Sequence, residues 1–187
     1  MKVVLTARRV AKLEAAVAEI EAAGGEALAV RLDVSKDDDH RAAFAEAERA
    51  YGGIDFVVAN AGFEGDWGTP LTNKTYEGDI RTILDTNIGG LLLTAKHGMG
   101  AMKKRGGGVF ITVSSVGAVV NRGHVEVGWA MGLDMTSLST YGASKACADA
   151  VGRYLHHYMA DGIRHYTVNP CAFSTEMVTK GTAYCFL

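Results

Sequence analysis

Short apolar runs alternate with amphipathic segments of helical period along the whole chain. The apolar runs predict strands at Lys2–Ala7, Ala27–Leu32, Ile54–Ala59, Val109–Val113 and Ile163–Val168. Between the first two runs, Val10, Leu13, Val17 and Ile20 fall on one face of a helix. Strands that alternate with helices indicate a parallel sheet with helices on both faces. The pattern therefore predicts an α/β fold built on a doubly wound parallel sheet.

Local signals set the bounds of the later helices. Ser35 and Asp38 have the spacing of a capping box, which predicts that the second helix begins there. A long helical region runs through Ile80 and Leu91 and ends at a basic cluster followed by Gly106-Gly107-Gly108. A further helix is predicted over Tyr141–Met159.

Composition narrows the class of protein. With 187 residues, the chain has the size of one domain, so residues 1–187 are expected to form a single unit. A net charge of −2 argues against a nucleic-acid partner. No apolar run is long enough to cross a membrane and the first residues lack a secretory layout, so a cytoplasmic location without a membrane partner is expected.

Cys147, Cys171 and Cys185 are odd in number and widely spaced, which favours reduced thiols over disulfides or a metal site, with Cys147 in the core.

Polar residues follow the carboxyl ends of all the predicted strands. They are Arg8, Asp33, Asn60, Ser115 and Asn169. Each one alone is typical of a turn that ends a strand. Ligands of open α/β sheets bind at this edge, so together these residues predict a binding site.

A phenol and an ammonium group share one face of the last predicted helix. Tyr141 and Lys145 are four residues apart, which is the spacing of neighbours on a helix surface. A free phenol titrates near ~10, and lowering that pKa by about 2–3 units requires roughly 3–4 kcal/mol of preferential phenolate stabilisation. The spacing alone is also compatible with an exposed helix that carries both residues by chance. In company with the strand-end residues, it predicts a proton-transfer site.

Several motifs together resemble the short-chain dehydrogenase/reductase family, over nearly all residues from Lys2 to Met177. They are Asp33-Val34, Asn60-Ala61-Gly62, Asp85-Thr86-Asn87, Val113-Ser114-Ser115 and Tyr141-x-x-x-Lys145. The resemblance implies a Rossmann-type fold and hydride transfer between NAD(P)(H) and a carbonyl or alcohol. It also implies a small-molecule substrate and a homodimer or homotetramer.

The resemblance assigns a role to each catalytic residue. Tyr141 would exchange a proton with the substrate oxygen, and Lys145 would bind the nicotinamide ribose while lowering the Tyr141 pKa. Ser115, the second residue of the Ser-Ser pair, is preferred over Ser114 as the hydrogen-bond donor to that oxygen. Asn87 would hold a water molecule that relays protons through Lys145. Alternatively, Asn87 is a buried amide bonded to helix backbone.

The resemblance also outlines a nucleotide site. Its members would be Arg8, Arg9, Asp33, Val34, Asn60, Ala61, Gly62, Tyr141, Lys145, Pro170 and Thr175. Where NAD-selective relatives carry an acidic residue, this chain has Ala7-Arg8-Arg9. Guanidinium groups suit a 2′-phosphate, so NADP(H) is preferred over NAD(H). The other interpretation is that both arginines solvate the start of a helix.

The chain departs from the family pattern in several places. The family begins with another strand and a T-G-x-x-x-G-x-G turn that holds pyrophosphate, whereas Met1 falls at the start of the family's second strand. Pro170-Cys171 stands where the family has Pro-Gly, and Leu187 precedes the family's last helix and strand. These departures predict a chain truncated at both ends, lacking the usual first strand and glycine-rich turn, with weak or no dehydrogenase activity by itself.

Two alternative functions follow from the departures. One is a catalytically silent fragment that associates with a partner chain through helices Tyr76–Lys104 and Tyr141–Met159. In the other, a partner or swapped segment supplies the missing strand. Between Ser115 and Tyr141, the extra material at about Asn121–Leu133 is either a lid or substrate-selecting insertion, or a tolerated surface loop. Its His124 and Glu126 do not make a metal site by themselves. His156 and His157 are expected to be solvated.

Overall fold

The computed structural model describes residues 1–66, 69–119 and 138–170. The strands are β1 (Lys2–Ala7), β2 (Glu26–Arg31), β3 (Phe56–Ala59), β4 (Gly108–Val113) and β5 (Ile163–Val168). The α-helices are α1 (Val10–Ala22), α2 (Asp37–Tyr51), α3 (Arg81–Leu84), α4 (Gly90–Arg105) and α5 (Ser139–Leu155). Shorter 3-10 turns lie at Leu71–Asn73, Val116–Val119 and His156–Asp161.

All the described strand pairs are parallel, which confirms the predicted α/β class, but they form two sheets. β1 pairs with β2 from Lys2↔Glu26 to Ala7↔Arg31, and the second sheet has the order β3-β4-β5. Among the described residues, β1 and β3 each have one hydrogen-bonded neighbour and are not paired with each other. In β3, the side chains of Phe56 and Val58 are 51% and 47% exposed. A strand edge and an apolar surface are therefore open beside β3.

Helices connect the two sheets. α1 and α2 pack on β1 and β2, whereas α4 and α5 pack on the second sheet. α2 also packs against α4 and joins the two halves. The core of the second half is apolar and contains Val57, Ala59, Leu91, Ala95, Met99, Met102, Phe110, Ala148, Leu155 and Ile163.

The start of α2 differs from the predicted capping box. The helix begins at Asp37, and its N-cap residue Lys36 makes no side-chain capping bond. The Ser35 hydroxyl instead donates to Asp33 Oδ1 at 2.8 Å, and the Ser35 amide donates to the same oxygen at 3.1 Å. The capping-box prediction is wrong because Asp33, two residues upstream, offers a nearer acceptor.

The long helical region is present but irregular. π-helical turns at Tyr76–Ile80 and Asp85–Gly89 flank α3 before α4 begins. α4 ends where predicted, at Arg105, with Gly106 in the left-handed conformation at φ 92°. α5 stops at Leu155 rather than Met159, since the chain tightens there into the 3-10 turn His156–Asp161.

The side chains of His156, His157 and Cys147 differ in their exposure. His156 and His157 are exposed, as expected. Cys147 is half-buried at the margin of the core rather than enclosed by it. Within the described ranges, no helix is long and apolar enough to span a membrane, and no cluster of three or more His, Cys, Asp and Glu side chains is placed to hold a metal ion.

Candidate active site

The carboxyl end of β4 carries the serine of the site. The chain leaves the strand at Val113 and turns through Ser115, whose Oγ accepts a hydrogen bond from the Gly117 amide at 3.1 Å. The Ser115 carbonyl oxygen accepts from Asn169 Nδ2 at 3.3 Å, which links the turn to the end of β5. The Ser115 hydroxyl is hydrogen-bonded to the Tyr141 hydroxyl.

The first turns of α5 carry the phenol and the ammonium group. Lys145 Nζ lies over the Tyr141 ring, 5.8 Å from its centroid, so the two side chains share one helix face as predicted. Lys145 is only 5% exposed, and its Nζ donates to the carbonyl oxygen of Val113 at 2.9 Å. Ser114 Oγ donates to the Lys145 carbonyl oxygen at 3.0 Å. β4 therefore fixes Lys145 from two directions, and Ser115 is the serine that faces the phenol.

The electrostatics differ from the expectation that Lys145 lowers the Tyr141 pKa. Burial raises the pKa of Tyr141, and the hydrogen bond from Ser115 opposes this rise while the charge of Glu64 adds to it. Burial also lowers the pKa of Lys145, against the attraction of Asp149. The pKa of Tyr141 is thus shifted upward, opposite to the expected direction, because desolvation and the charge of Glu64 outweigh the hydrogen bond from Ser115.

Asn87 is bonded on both ends of its amide. It lies in the π-helical turn before α4 and is 4% exposed. Its Oδ1 accepts from the Phe63 amide at 2.7 Å, and its Nδ2 donates to the Phe63 carbonyl oxygen at 2.9 Å and to Ser144 Oγ at 2.8 Å. The Ser144 hydroxyl donates in turn to the Tyr141 carbonyl oxygen at 2.7 Å. Asn87 thus ties the loop after β3 to α5.

Replacing Asn87 with alanine is expected to destabilise the fold because the backbone of Phe63 and the Ser144 hydroxyl lose their partner. Unsatisfied groups of this kind cost about 1–3 kcal/mol in the free energy of unfolding. Urea denaturation measures the effect, with the exposed Asn73→Ala as the matched control. Equal unfolding free energies for Asn87→Ala and the unmodified chain would contradict the structural role.

Gly62 brings the loop after β3 close to the side chains of Lys145 and Asn87. A Cβ placed on Gly62 would lie 3.4 Å from Lys145 Nζ and 3.8 Å from Asn87 Oδ1. The space beside Lys145 and Asn87 is therefore kept open by the missing side chain. Asn60 and Ala61, which precede Gly62, are exposed at the end of β3.

The other end of the predicted nucleotide site lies on the first sheet. Arg8 and Arg9 are exposed where β1 ends, and Asp33 follows the end of β2. Burial opposes ionisation of Asp33, but the hydrogen bonds from Ser35 and the charge of Arg8 prevail, so the pKa of Asp33 is lowered. Arg8, Asp33 and Val34 therefore belong to one strand-end cluster on the first sheet, which shares no strand pair with the second sheet among the described residues.

The remaining predicted residues lie at the margin of the described ranges. The Pro170 carbonyl oxygen accepts from the Val116 amide at 3.0 Å, which holds the end of β5 beside the serine turn. Several predicted residues lie outside the described ranges. They are Thr175, Cys171, Cys185 and the segment Asn121–Leu133 with His124 and Glu126.

The family model for short chain dehydrogenases matches residues 1–184. The chain belongs to this family. It is 31% identical to farnesol dehydrogenase of Aedes aegypti over 185 residues, covering 96% of this chain and 70% of that protein. Among solved structures, it matches a 3-ketoacyl-ACP reductase from Sinorhizobium meliloti with a TM-score of 0.81 and 30% identity, covering 93% of this chain and 64% of that one.

Another solved member is a 7α-hydroxysteroid dehydrogenase complexed with NADH and 7-oxo glycochenodeoxycholic acid. Its TM-score is 0.81 at 26% identity, with 96% of this chain and 64% of that chain covered. The chain thus spans about two thirds of the length of these relatives. As a member of the short-chain dehydrogenases, it is related to NAD(P)-dependent oxidoreductases that act on small alcohols and carbonyl compounds.

Two residues of this short-chain dehydrogenase site escaped the sequence interpretation. Ser144 lies inside the Tyr141-x-x-x-Lys145 motif, and its full burial and bonds to Asn87 and Tyr141 make it the link between them. Its position three residues after Tyr141 is the only signal in the sequence. Glu64 is buried within electrostatic reach of Tyr141, which nothing in the local sequence indicates.

Proposed function

We propose that this chain carries the catalytic group of an oxidoreductase that transfers a hydride between NADP(H) and a carbonyl or secondary alcohol. The observation that supports it best is the convergence of Ser115, Tyr141 and Lys145. A hydroxyl hydrogen-bonded to a half-buried phenol, with an ammonium group over the ring, is equipped to exchange a proton at a substrate oxygen.

The residues present fit a dinucleotide at both ends of the site. The open space at Gly62 lies beside Lys145 Nζ and admits a ribose at a position where a side chain would intrude. Arg8 and Asp33 offer a cation and an ionised acceptor at the end of the first sheet. We assign Gly62 and Lys145 to the nicotinamide half, and Arg8, Arg9, Asp33 and Val34 to the adenosine half. Bound nicotinamide supplies or accepts the hydride.

In this mechanism Tyr141 exchanges the proton that balances the hydride. During reduction its hydroxyl donates to the oxygen on which charge grows, and Ser115 donates a second hydrogen bond to the same oxygen. A phenol is protonated at neutral pH and burial raises the pKa of Tyr141 further, so the hydroxyl is present in the form that donates a proton. Oxidation requires the phenolate, so Lys145 must turn from the Val113 carbonyl toward the Tyr141 oxygen to stabilise it.

Asn87 supports this group from behind. Its amide fixes the Phe63 backbone and, through Ser144, the first turn of α5, so it positions both the loop and the phenol. Because Oδ1 has a second lone pair and lies near Gly62, a water molecule can bridge it to Lys145. This bridge is our proposal for the proton path to solvent.

The function is tested by assaying NADPH oxidation over a panel of ketones and NADP⁺ reduction over a panel of secondary alcohols. Turnover that depends on Tyr141 is the expected result. Nucleotide binding without turnover on any panel member would instead favour a silent member that acts through association. The exposed side chains of Leu92 on α4 and Tyr154 on α5 offer contacts for a homodimer or homotetramer.

NADPH is expected to bind about tenfold more tightly than NADH, a ratio that corresponds to ~1.4 kcal/mol. The reason is that exposed Arg8 and Arg9 can pair with a 2′-phosphate, and no acidic residue occupies their position. Titration by nucleotide fluorescence measures both affinities. Arg8→Ala should reduce the preference while the exposed Arg164→Ala, at the far sheet, leaves it unchanged. Equal affinities for the two nucleotides would overturn the assignment.

A further inference from the structure

A fully buried histidine lies behind the adenosine end of the proposed site. His40, on α2, has no exposed surface, and its Nε2 lies 2.9 Å from the carbonyl oxygen of Val34. A carbonyl oxygen can only accept, so Nε2 carries the proton and Nδ1 is the bare nitrogen of a neutral imidazole. That Nδ1 is buried and has no hydrogen-bond partner within the described residues.

Aromatic rings from two helices enclose this imidazole. The His40 ring stacks on His97 of α4, with centroids 5.7 Å apart and planes 5° from parallel, and on Phe44 at 6.4 Å. His97 Nε2 is bonded to Asp37 Oδ1 at 2.8 Å, and Lys96 Nζ donates to the same oxygen at 2.8 Å. The stack therefore lies in the contact between α2 and α4, where His40 is fully buried.

The turn that His40 contacts is anchored on several sides. Asp39 Oδ2 accepts from the Asp33 amide at 2.9 Å, so α2 holds consecutive residues of the turn. On the opposite side, Val34 packs against Gly90 of α4, where an added Cβ would come within 2.8 Å of Val34 Cγ2. Asp33 and Val34 are thus seated between α2 and α4, with the His40 bond fixing the Val34 carbonyl.

We infer that His40 is a positioning residue that holds the Asp33-Val34 turn in its nucleotide-binding shape and releases it on protonation. The role in nucleotide binding rests on the proposed function. Protonation places a hydrogen on buried Nδ1, which has no acceptor among the described residues. It also adds a positive charge beside the stacked ring of His97. The titratable groups that act on the ring are Asp37 and Asp39 on α2 and His97 on α4, with Lys96 bonded to Asp37 and the Asp33 amide bonded to Asp39. The carboxylate of Asp37 is already paired with Lys96 and His97, so it compensates little.

The sign of the pH dependence follows from burial. Desolvation lowers the pKa of His40, and this effect outweighs the bond to Val34 and the carboxylates, which favour the charged form. A histidine with a depressed folded pKa contributes stability above its unfolded pKa of about 6.5. That contribution falls as the pH drops through the lower folded value. Opening of the turn, corrected for intrinsic exchange, should therefore increase in acid.

Hydrogen exchange of the Asp33, Ser35 and Lys36 amides tests the inference in the nucleotide-free protein. His40→Phe keeps a stacking ring but removes the donor, and it should raise exchange of the turn about fivefold or more, in line with loss of one ordinary hydrogen bond. His40→Gln retains an N–H donor, so exchange of the turn amides should remain close to that of the unmodified chain at neutral pH. Because glutamine does not titrate, the exchange should no longer increase in acid. His157→Gln, at an exposed histidine, is the matched control.

The outcomes separate the two proposals. Acid-sensitive exchange in the unmodified chain and none in His40→Gln supports the inference even if His40→Phe fails to fold. Identical pH responses in both proteins overturn it. NADPH affinity should fall with His40→Phe, while kcat at saturating nucleotide changes little. If the turn responds but no nucleotide binds to any variant, the positioning role stands and the proposed function is refuted.

Discussion

Replacing Tyr141 with phenylalanine is expected to reduce turnover by about 10³-fold, within the range that general acid–base catalysis contributes. The substitution removes the hydroxyl that exchanges the proton and preserves the ring over which Lys145 lies. NADPH affinity should therefore change little. Steady-state kinetics and nucleotide titration on the same preparation measure the two effects separately.

Two further variants sharpen this result. Tyr158→Phe, at an exposed tyrosine just after the same helix, is the matched control and should be fully active. Lys145→Ala should impair both turnover and nucleotide binding, because Lys145 contacts the ribose as well as the phenol in the proposed mechanism. A Tyr141→Phe enzyme that retained a substantial fraction of its turnover would show that another group transfers the proton.

An added N-terminal strand with a T-G-x-x-x-G-x-G turn is expected to raise the melting temperature and to increase NADPH affinity by more than about tenfold. The added strand would satisfy backbone groups on the open edge of β3 and cover Phe56 and Val58, which are 51% and 47% exposed. Its glycine turn would add backbone donors for the pyrophosphate. Without it, we expect weak turnover by the chain alone.

The extension needs a control that separates strand pairing from mere length. The same extension with prolines at alternate strand positions cannot donate to a parallel neighbour and should give no increase in melting temperature. Activity of all three proteins is compared over the ketone and alcohol panels. Robust turnover by the unextended chain would show that Ser115, Tyr141 and Lys145 work without an added strand beside β3.

The sequence predicted the strands closely because each is a short apolar run between turn residues. β2, β3 and β4 begin at Glu26, Phe56 and Gly108, close to the predicted starts. β3 is shorter than expected because its pairing with β4 starts at Phe56↔Val109, and Ile54 packs against the core before the ladder begins.

The contacts that the sequence could not predict involve backbone atoms or burial. The partner of Lys145 is the Val113 carbonyl, and the partners of Asn87 are mainly the backbone of Phe63. A backbone group looks the same at every position, so only the folded chain specifies which one is reached. In the sequence, His40 likewise resembles an ordinary polar residue of a helix. Only the packing of α4 against α2 shows that it is buried.

The division into two sheets affects the order in which the parts of this protein unfold. β1, α1 and β2 are consecutive, and their ladder closes within residues 2–31, whereas β4 depends on pairing with β3 and β5 across a much longer stretch of chain. Among the described residues the two ladders share no strand, so we expect the halves to form two units of local unfolding joined where α2 packs against α4. Mild denaturation is thus expected to unfold the unit that carries Arg8 and Arg9 while Ser115, Tyr141 and Lys145 remain in place.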